Sequence, residues 1–188
     1  DTFKICKQKA KLNKYINIIY DESVENLADA YFKLYKHCSN INTKWVISIN
    51  AGWRHDPKDL KKFMEISNKN EIDCIWGYRN KNTNQSNFIR RFVSFTGNFL
   101  SDILLDIKIK DLTSGFYMIR GNILKIELSK MKKFISKYHF FDTELKFYLK
   151  NYSYDQVKIN YKSPNKTLPI KIIYDSLIVL FKLIIKKI

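Results

Sequence analysis

The chain is short of several things that would settle its class at once. It has only 3 cysteines, Cys6, Cys38 and Cys74. They are scattered and odd in number, and no pair has metal-ligand spacing. That excludes a disulfide framework and reads as reduced thiols. With 5 Gly and 3 Pro, collagen-like and linker-like character is excluded as well. Acidic residues are scarce: 18 Asp+Glu stand against 34 Lys+Arg, a net charge of +16. No uninterrupted apolar run reaches the ~20 residues of a transmembrane helix. Internal repeats and low-complexity blocks are absent too.

What is present is apolar and aromatic. Hydrophobic residues make up 45% and aromatics 15% of 188 residues. That is one ordinary domain with enough material for a sizeable core, which excludes intrinsic disorder. The positive excess favours polyanionic partners: nucleic acid, acidic lipid head groups or phosphorylated substrates.

Short apolar runs alternate with helical patterns along the chain. The spacing predicts a basic helix over Phe3–Tyr15 and a short strand at Ile16–Tyr20. In Glu22–Cys38, Val24, Leu27, Ala28, Tyr31, Phe32, Leu34 and Tyr35 recur at helical spacing. Strands are predicted at Lys44–Ile49, at Ile72–Trp76 with Gly77 ending it, at Thr113–Ile119 and at Gln156–Tyr161. Asp56-Pro57 opens a helix, with Asp as cap and Pro at the first helical position. Further helices are predicted over Asn87–Leu105, Asn122–Phe134, Phe141–Asn151 and from Pro169 to Ile188. Strands alternating with helices imply an α/β fold with a largely parallel sheet. Ligands of such sheets sit beyond the carboxyl ends of the strands, here at Asn50–Asp56, Gly77–Asn87 and near Asp111.

These loops carry the pointed motifs. Ile49-Asn-Ala-Gly-Trp-Arg-His-Asp-Pro57 links a strand to a helix, and Gly77-Tyr-Arg79 follows the next strand. Arg90-Arg91 and Ser94 lie on the long helical pattern, ahead of Gly97-Asn98-Phe99-Leu100. Asp111-Leu-Thr-Ser-Gly-Phe116 enters a later strand, and Glu144 falls in the helix before the last one. In this order and spacing the chain resembles the family 2 glycosyltransferases, and most of all the dolichol-phosphate mannose synthases and their bacterial polyprenyl-phosphate relatives. The most specific match is Asp111–Phe116, to a D-L-T-S-G-F segment. Ile49–Pro57 resembles the family's D-A-D-x-x-H-x-P block.

The resemblance implies a GT-A-like (Rossmann-like) sheet over 1–168, lacking its first strands, and an amphipathic helix over 169–188. Asp1-Thr2 resembles the tail of a D-D-x-S-x-D segment that opens the family's nucleotide site, so the chain is expected to be N-terminally incomplete. The resemblance also implies transfer of a sugar, with inversion, from a nucleotide-sugar to a polyprenyl phosphate. The site it implies has Asp111 and Arg90 as catalytic residues. Asn50, Gly52, Arg54, Arg79, Ser94 and Glu144 would bind substrate, Glu144 near the acceptor. Asp111 read by itself is equally a turn-forming residue, and Arg90-Arg91 a solvated basic helix face.

One departure concerns the metal. In the family two aspartates hold Mg²⁺ or Mn²⁺ against the diphosphate. Those positions are Asn50 and Gly52 here, with Arg54 two residues on. A hard cation needs charged oxygen ligands, so metal affinity is expected to be weakened or lost. Two readings of Arg54 follow: its guanidinium pairs with the diphosphate directly, or it is an ordinary surface group once the carboxylates are gone. His55 is expected to fix its loop by a hydrogen bond.

Ile170–Ile188 has Asp175 and Lys182 within an apolar pattern. It reads as an interfacial helix, with Lys171, Lys182, Lys186 and Lys187 available to an acidic membrane surface, or as a core-packed terminal helix. The first reading places the protein peripherally on the cytoplasmic face of a membrane. Two alternatives to an active transferase stand beside it: a catalytically inactive relative with a binding role, and a basic nucleic-acid-binding module. Against the last, the lysines are spread along the chain and no nucleic-acid motif occurs.

Overall fold

The computed structural model describes residues 2–50, 54–69, 71–79, 102–162 and 169–187. Gly52, Arg90, Ser94 and most of the predicted Asn87–Leu105 helix lie outside them.

Four strands form the sheet among the described residues: β1 (Trp45–Ser48), β2 (Cys74–Arg79), β3 (Tyr117–Arg120) and β4 (Tyr154–Ile159), in the order β1-β3-β2-β4. β3 is antiparallel to both neighbours, and β2 and β4 are parallel. β1, β2 and β4 therefore run in one direction, with β3 reversed between them. The fold is α/β with a mixed sheet flanked by helices.

Side chains alternate across this sheet and split the core. Cys74, Trp76, Tyr117 and Ile119 face one layer of helices: α2 (Leu27–Asn40), α4 (Gly121–Ser129), α5 (Phe141–Tyr148) and α6 (Ile170–Lys187). Ile75, Phe116, Met118, Val157 and Ile159 face the other way, onto Phe63 of α3 (Leu60–Lys69). α1 (Thr2–Leu12) buries no residue.

Helix starts follow local chemistry. Asn26 caps α2, its side chain accepting from the Asp29 amide at 3.0 Å, so the helix begins well after Glu22. Asp56 accepts from the Lys58 amide at 3.0 Å, and a 3₁₀ turn at Pro57–Asp59 leads into α3.

Three expected elements differ. The strand predicted over Thr113–Ile119 begins only at Tyr117 and ends at Arg120, its first residues being loop. Ile16–Tyr20 is not a strand: the segment is irregular, and Ile19 and Tyr20 are exposed. Its apolar residues find no strand to pair with, and Tyr20 packs on Phe3 instead, ring centroids 5.1 Å apart. Gly77 does not end its strand either, because β2 runs on to Arg79. Here glycine serves close approach. The Gly77 amide donates to the Phe116 carbonyl at 2.9 Å, and a Cβ would stand 2.6 Å from that oxygen.

Candidate functional site

The carboxyl ends of β1, β2 and β4 and the amino end of β3 meet at one edge of the sheet. Asn50 leaves β1 there, Arg79 ends β2, Tyr161 follows β4, and the Asp111–Gly115 loop enters β3.

Arg79 and Asp111 are locked together. Arg79 Nε donates to Asp111 Oδ2 at 2.6 Å and Nη2 to Oδ1 at 2.7 Å. Nη2 also donates to Thr113 Oγ1 at 2.7 Å, and the Arg79 amide to Asp111 Oδ2 at 3.2 Å. The guanidinium lies 5.0 Å from the Tyr161 ring centroid. Burial pushes the Asp111 carboxyl up, but Arg79 outweighs it and holds the group below the usual carboxylate range. Both residues are engaged with each other at this edge. Nε and Nη2 of Arg79 are paired with Asp111 and Thr113, and both Asp111 oxygens with Arg79.

Lys146 braces the same loop from below. It is fully buried on α5 and donates to the carbonyls of Asp111 at 3.1 Å, Leu112 at 2.8 Å and Ser114 at 2.8 Å. Its ammonium also lies 5.5 Å from the Trp76 ring and 5.6 Å from the Tyr117 ring. One turn earlier, Asp142 is buried and accepts from Tyr117 Oη at 3.0 Å. Burial raises the Asp142 pKa and lowers that of Lys146, each charge partly offsetting the other.

Gly115 lies against Asp142 and Asn50. A Cβ at Gly115 would stand 3.4 Å from Asp142 Oδ2 and 3.6 Å from Asn50 Nδ2. Tyr31 closes one side, its hydroxyl donating to Asn50 Oδ1 at 3.4 Å and its ring stacked on Phe141 at 4.5 Å. Asn50, Gly115 and Tyr31 are half-buried. An amide, a carboxylate and a phenol thus stand around a glycine.

His55 fixes its loop. Its Nδ1 accepts from the Asn50 amide at 3.2 Å, and its ring stacks on Phe116 at 5.1 Å. Burial first, and the Arg79 charge next, hold its pKa down at about 4. An unfolded imidazole therefore takes up its proton at a higher pH than the folded one. Folding stability is expected to fall as pH drops from about 6.5 towards about 4, by up to about 3 kcal/mol. Urea unfolding across that range should show a flatter slope for His55→Gln. Arg54 is half-buried; its charge bears on His55 and His139, and it forms no ion pair among the described residues.

Glu144 is not at this site. It is fully buried, accepting from the amides of Ile135 (2.9 Å) and Ser136 (3.0 Å). Two helical residues turn ~200°, so Asp142 and Glu144 face opposite ways. Sequence reasoning missed Asp142, Lys146 and Tyr31. Asp142 and Lys146 are four apart, the spacing that puts both on one helix face and would have marked them.

The described donors at this edge do not fit a divalent cation. Among the described residues no three His, Cys, Asp or Glu side chains form a group able to hold one. Asn50 supplies a neutral oxygen, and the neighbouring carboxylate, Asp142, already has Lys146 as countercharge.

No family model matches the chain. It is 29% identical over 157 residues to Uncharacterized protein MJ0544 of Methanocaldococcus jannaschii, covering 77% of this chain and 65% of that protein. Over 80 residues it is 25% identical to dodecaprenyl-phosphate galacturonate synthase of Rhizobium johnstonii, covering 43% of this chain and 23% of that enzyme. The chain thus spans 65% and 23% of the lengths of these relatives. Its sequence similarity to a polyprenyl-phosphate glycosyltransferase is weak and partial. The crystal structure of glucosyl-3-phosphoglycerate synthase from Mycobacterium tuberculosis in complex with phosphoglyceric acid covers 93% of this chain and 58% of its own. The TM-score is 0.48 at 13% identity, a likeness too low to carry weight.

Proposed function

We propose that this chain is a GT-A-like glycosyltransferase domain of family 2 type, which binds a nucleotide-sugar at the sheet edge and serves transfer to a polyprenyl phosphate. The observation that carries the reading is the braced Asp111–Gly115 loop. Arg79 and Lys146 hold it where Gly115 stands beside Asn50 and Asp142. The similarity to dodecaprenyl-phosphate galacturonate synthase supports it.

In this reading an acceptor phosphate oxygen attacks the anomeric carbon, with inversion. The carbon–oxygen bond to the nucleoside diphosphate breaks, and that group leaves with the electron pair. The nucleophile is ionised at neutral pH, so no strong general base is required. Binding, orientation and charge neutralisation are the remaining tasks. Asn50 and Asp142 are assigned to the sugar, and Arg54, Gly52, Arg90 and Ser94 to the diphosphate. Asp111 and Arg79 become positioning residues. The acceptor places the reaction at the cytoplasmic face of a membrane. Binding without turnover is a second reading, favoured by Asn50 standing where the resemblance expects a metal-binding carboxylate.

The test is calorimetric titration of nucleoside diphosphates and their sugars, with and without a chelator. Binding that ignores the chelator is expected. Gly115→Ala should weaken the sugar nucleotide by about tenfold or more by placing a methyl group beside Asn50 and Asp142, while its Cβ makes only ordinary contacts at 3.4 Å and beyond. N50D/G52D/R54A should make binding metal-dependent. No binding of any nucleoside diphosphate at any metal concentration refutes the proposal.

A further inference from the structure

Two segments meet at Gly115: the loop after β1, through Asn50, and the stretch 134–140 that leads into α5, through Asp142. The second is held by side chains from two helices. Glu144 accepts from the amides of Ile135 and Ser136 at 2.9 and 3.0 Å. Asp175 of α6 accepts from Ser136 Oγ at 2.7 Å and from the Lys137 amide at 3.0 Å. His139 comes next, its carbonyl accepting from the Asp142 amide at 3.4 Å. Its backbone is thus fixed just ahead of Asp142, while its side chain is solvent-accessible. No hydrogen bond to its imidazole occurs among the described residues.

The first segment carries Arg54, whose carbonyl accepts from the Lys162 amide at 2.8 Å. Arg54 has no acidic partner among the described residues. Its charge acts on both His55 and His139. His55 is already engaged, by the Asn50 amide and by the rings of Phe116 and Tyr161. His139 is not. The nearby carboxylates are engaged elsewhere: Glu144 and Asp175 with loop amides, Asp142 with Tyr117 and Lys146. Arg54 is the charge that bears on the His139 imidazole. One fixed cation and one titratable side chain therefore share the mouth of the site without a countercharge.

We propose that Arg54 and His139 together clamp the diphosphate of the bound sugar nucleotide, His139 taking up a proton from water as the diphosphate arrives. The inference rests on the sugar-nucleotide reading above. It answers the misfit of the described donors to a divalent cation, because two side chains supply the positive charge instead. Partial desolvation, and then the Arg54 charge, favour the neutral imidazole in the free protein. A diphosphate between the two groups reverses the local field and favours the imidazolium. His139 makes and breaks no bond to the sugar.

The test uses inorganic pyrophosphate and the 188-residue chain, with a chelator present, following the histidine ring protons by NMR. Saturation should move the His139 titration midpoint up by about one pH unit or more. His139→Gln changes a solvent-accessible side chain, so its circular dichroism should be unaltered. It should bind pyrophosphate more weakly than the parent, and the ratio of the two affinities should grow about threefold or more between about pH 8 and about pH 6. Arg54→Gln should weaken binding at every pH. The proposal is overturned if the His139 signals ignore pyrophosphate, or if His139→Gln binds it like the parent at both pH values. A His139 response to pyrophosphate without binding of any sugar nucleotide would support the clamp and refute the sugar-nucleotide reading. Sugar-nucleotide binding with His139 silent would do the reverse.

Discussion

Replacing Asp111 with Asn is expected to cost about 3–5 kcal/mol of folding stability, far more than a surface ion pair is worth. The Asp111 side chain is 7% exposed and that of Arg79 20%. Removing the carboxylate strands a guanidinium that has little water to fall back on. It also releases the Arg79 amide and the loop that carries Thr113 and Gly115. Urea unfolding at constant m-value reads the loss directly. Exchanging both partners, as R79M/D111L, should cost less than the two single changes summed, because no charge is left buried alone. The sign of the pH effect is fixed as well. The folded carboxyl lies below its usual range, so its contribution is complete above about pH 4 and is lost as pH falls through the folded value.

Lys146→Met should be comparably severe, at about 3 kcal/mol or more. Three carbonyls of one loop would lose their donor at once, and Asp142 its countercharge. Methionine keeps most of the volume, so packing contributes little to the loss. Ser114→Ala serves as the contrast within the same loop. The Ser114 hydroxyl is buried without a hydrogen-bond partner among the described residues, so its removal should be neutral or slightly stabilising. Unfolding midpoints for the two variants should separate a braced loop from one that merely fills space. Equal, small effects would show that Lys146 holds nothing together.

Short apolar runs made the strands legible, β1 and β4 within one or two residues, because each has a sheet neighbour to reward it. Ile16–Tyr20 has a comparable pattern and no such neighbour, so the pattern alone misled. Gly77 has the character of a strand breaker, and only the approach of Phe116 explains why it lies inside β2. The loops of the candidate site were legible as strand ends of an α/β sheet. What their side chains do was not. A bidentate pair between Arg79 and Asp111, 32 residues apart, leaves no local trace. Glu144 drew attention as a motif acid, yet its position on α5 turns it to the Ile135 and Ser136 amides, and Asp142 takes the place beside Gly115.

The most direct measurement is a titration of isotope-labelled protein with a nucleoside-diphosphate sugar, following backbone amides by NMR. The amides of Asn50, Arg79 and Gly115 are predicted to shift together with one dissociation constant, and Gly115→Ala to remove that response. Shifts spread over exposed lysines, with those three unmoved, would contradict a sugar-nucleotide site at this edge of the sheet.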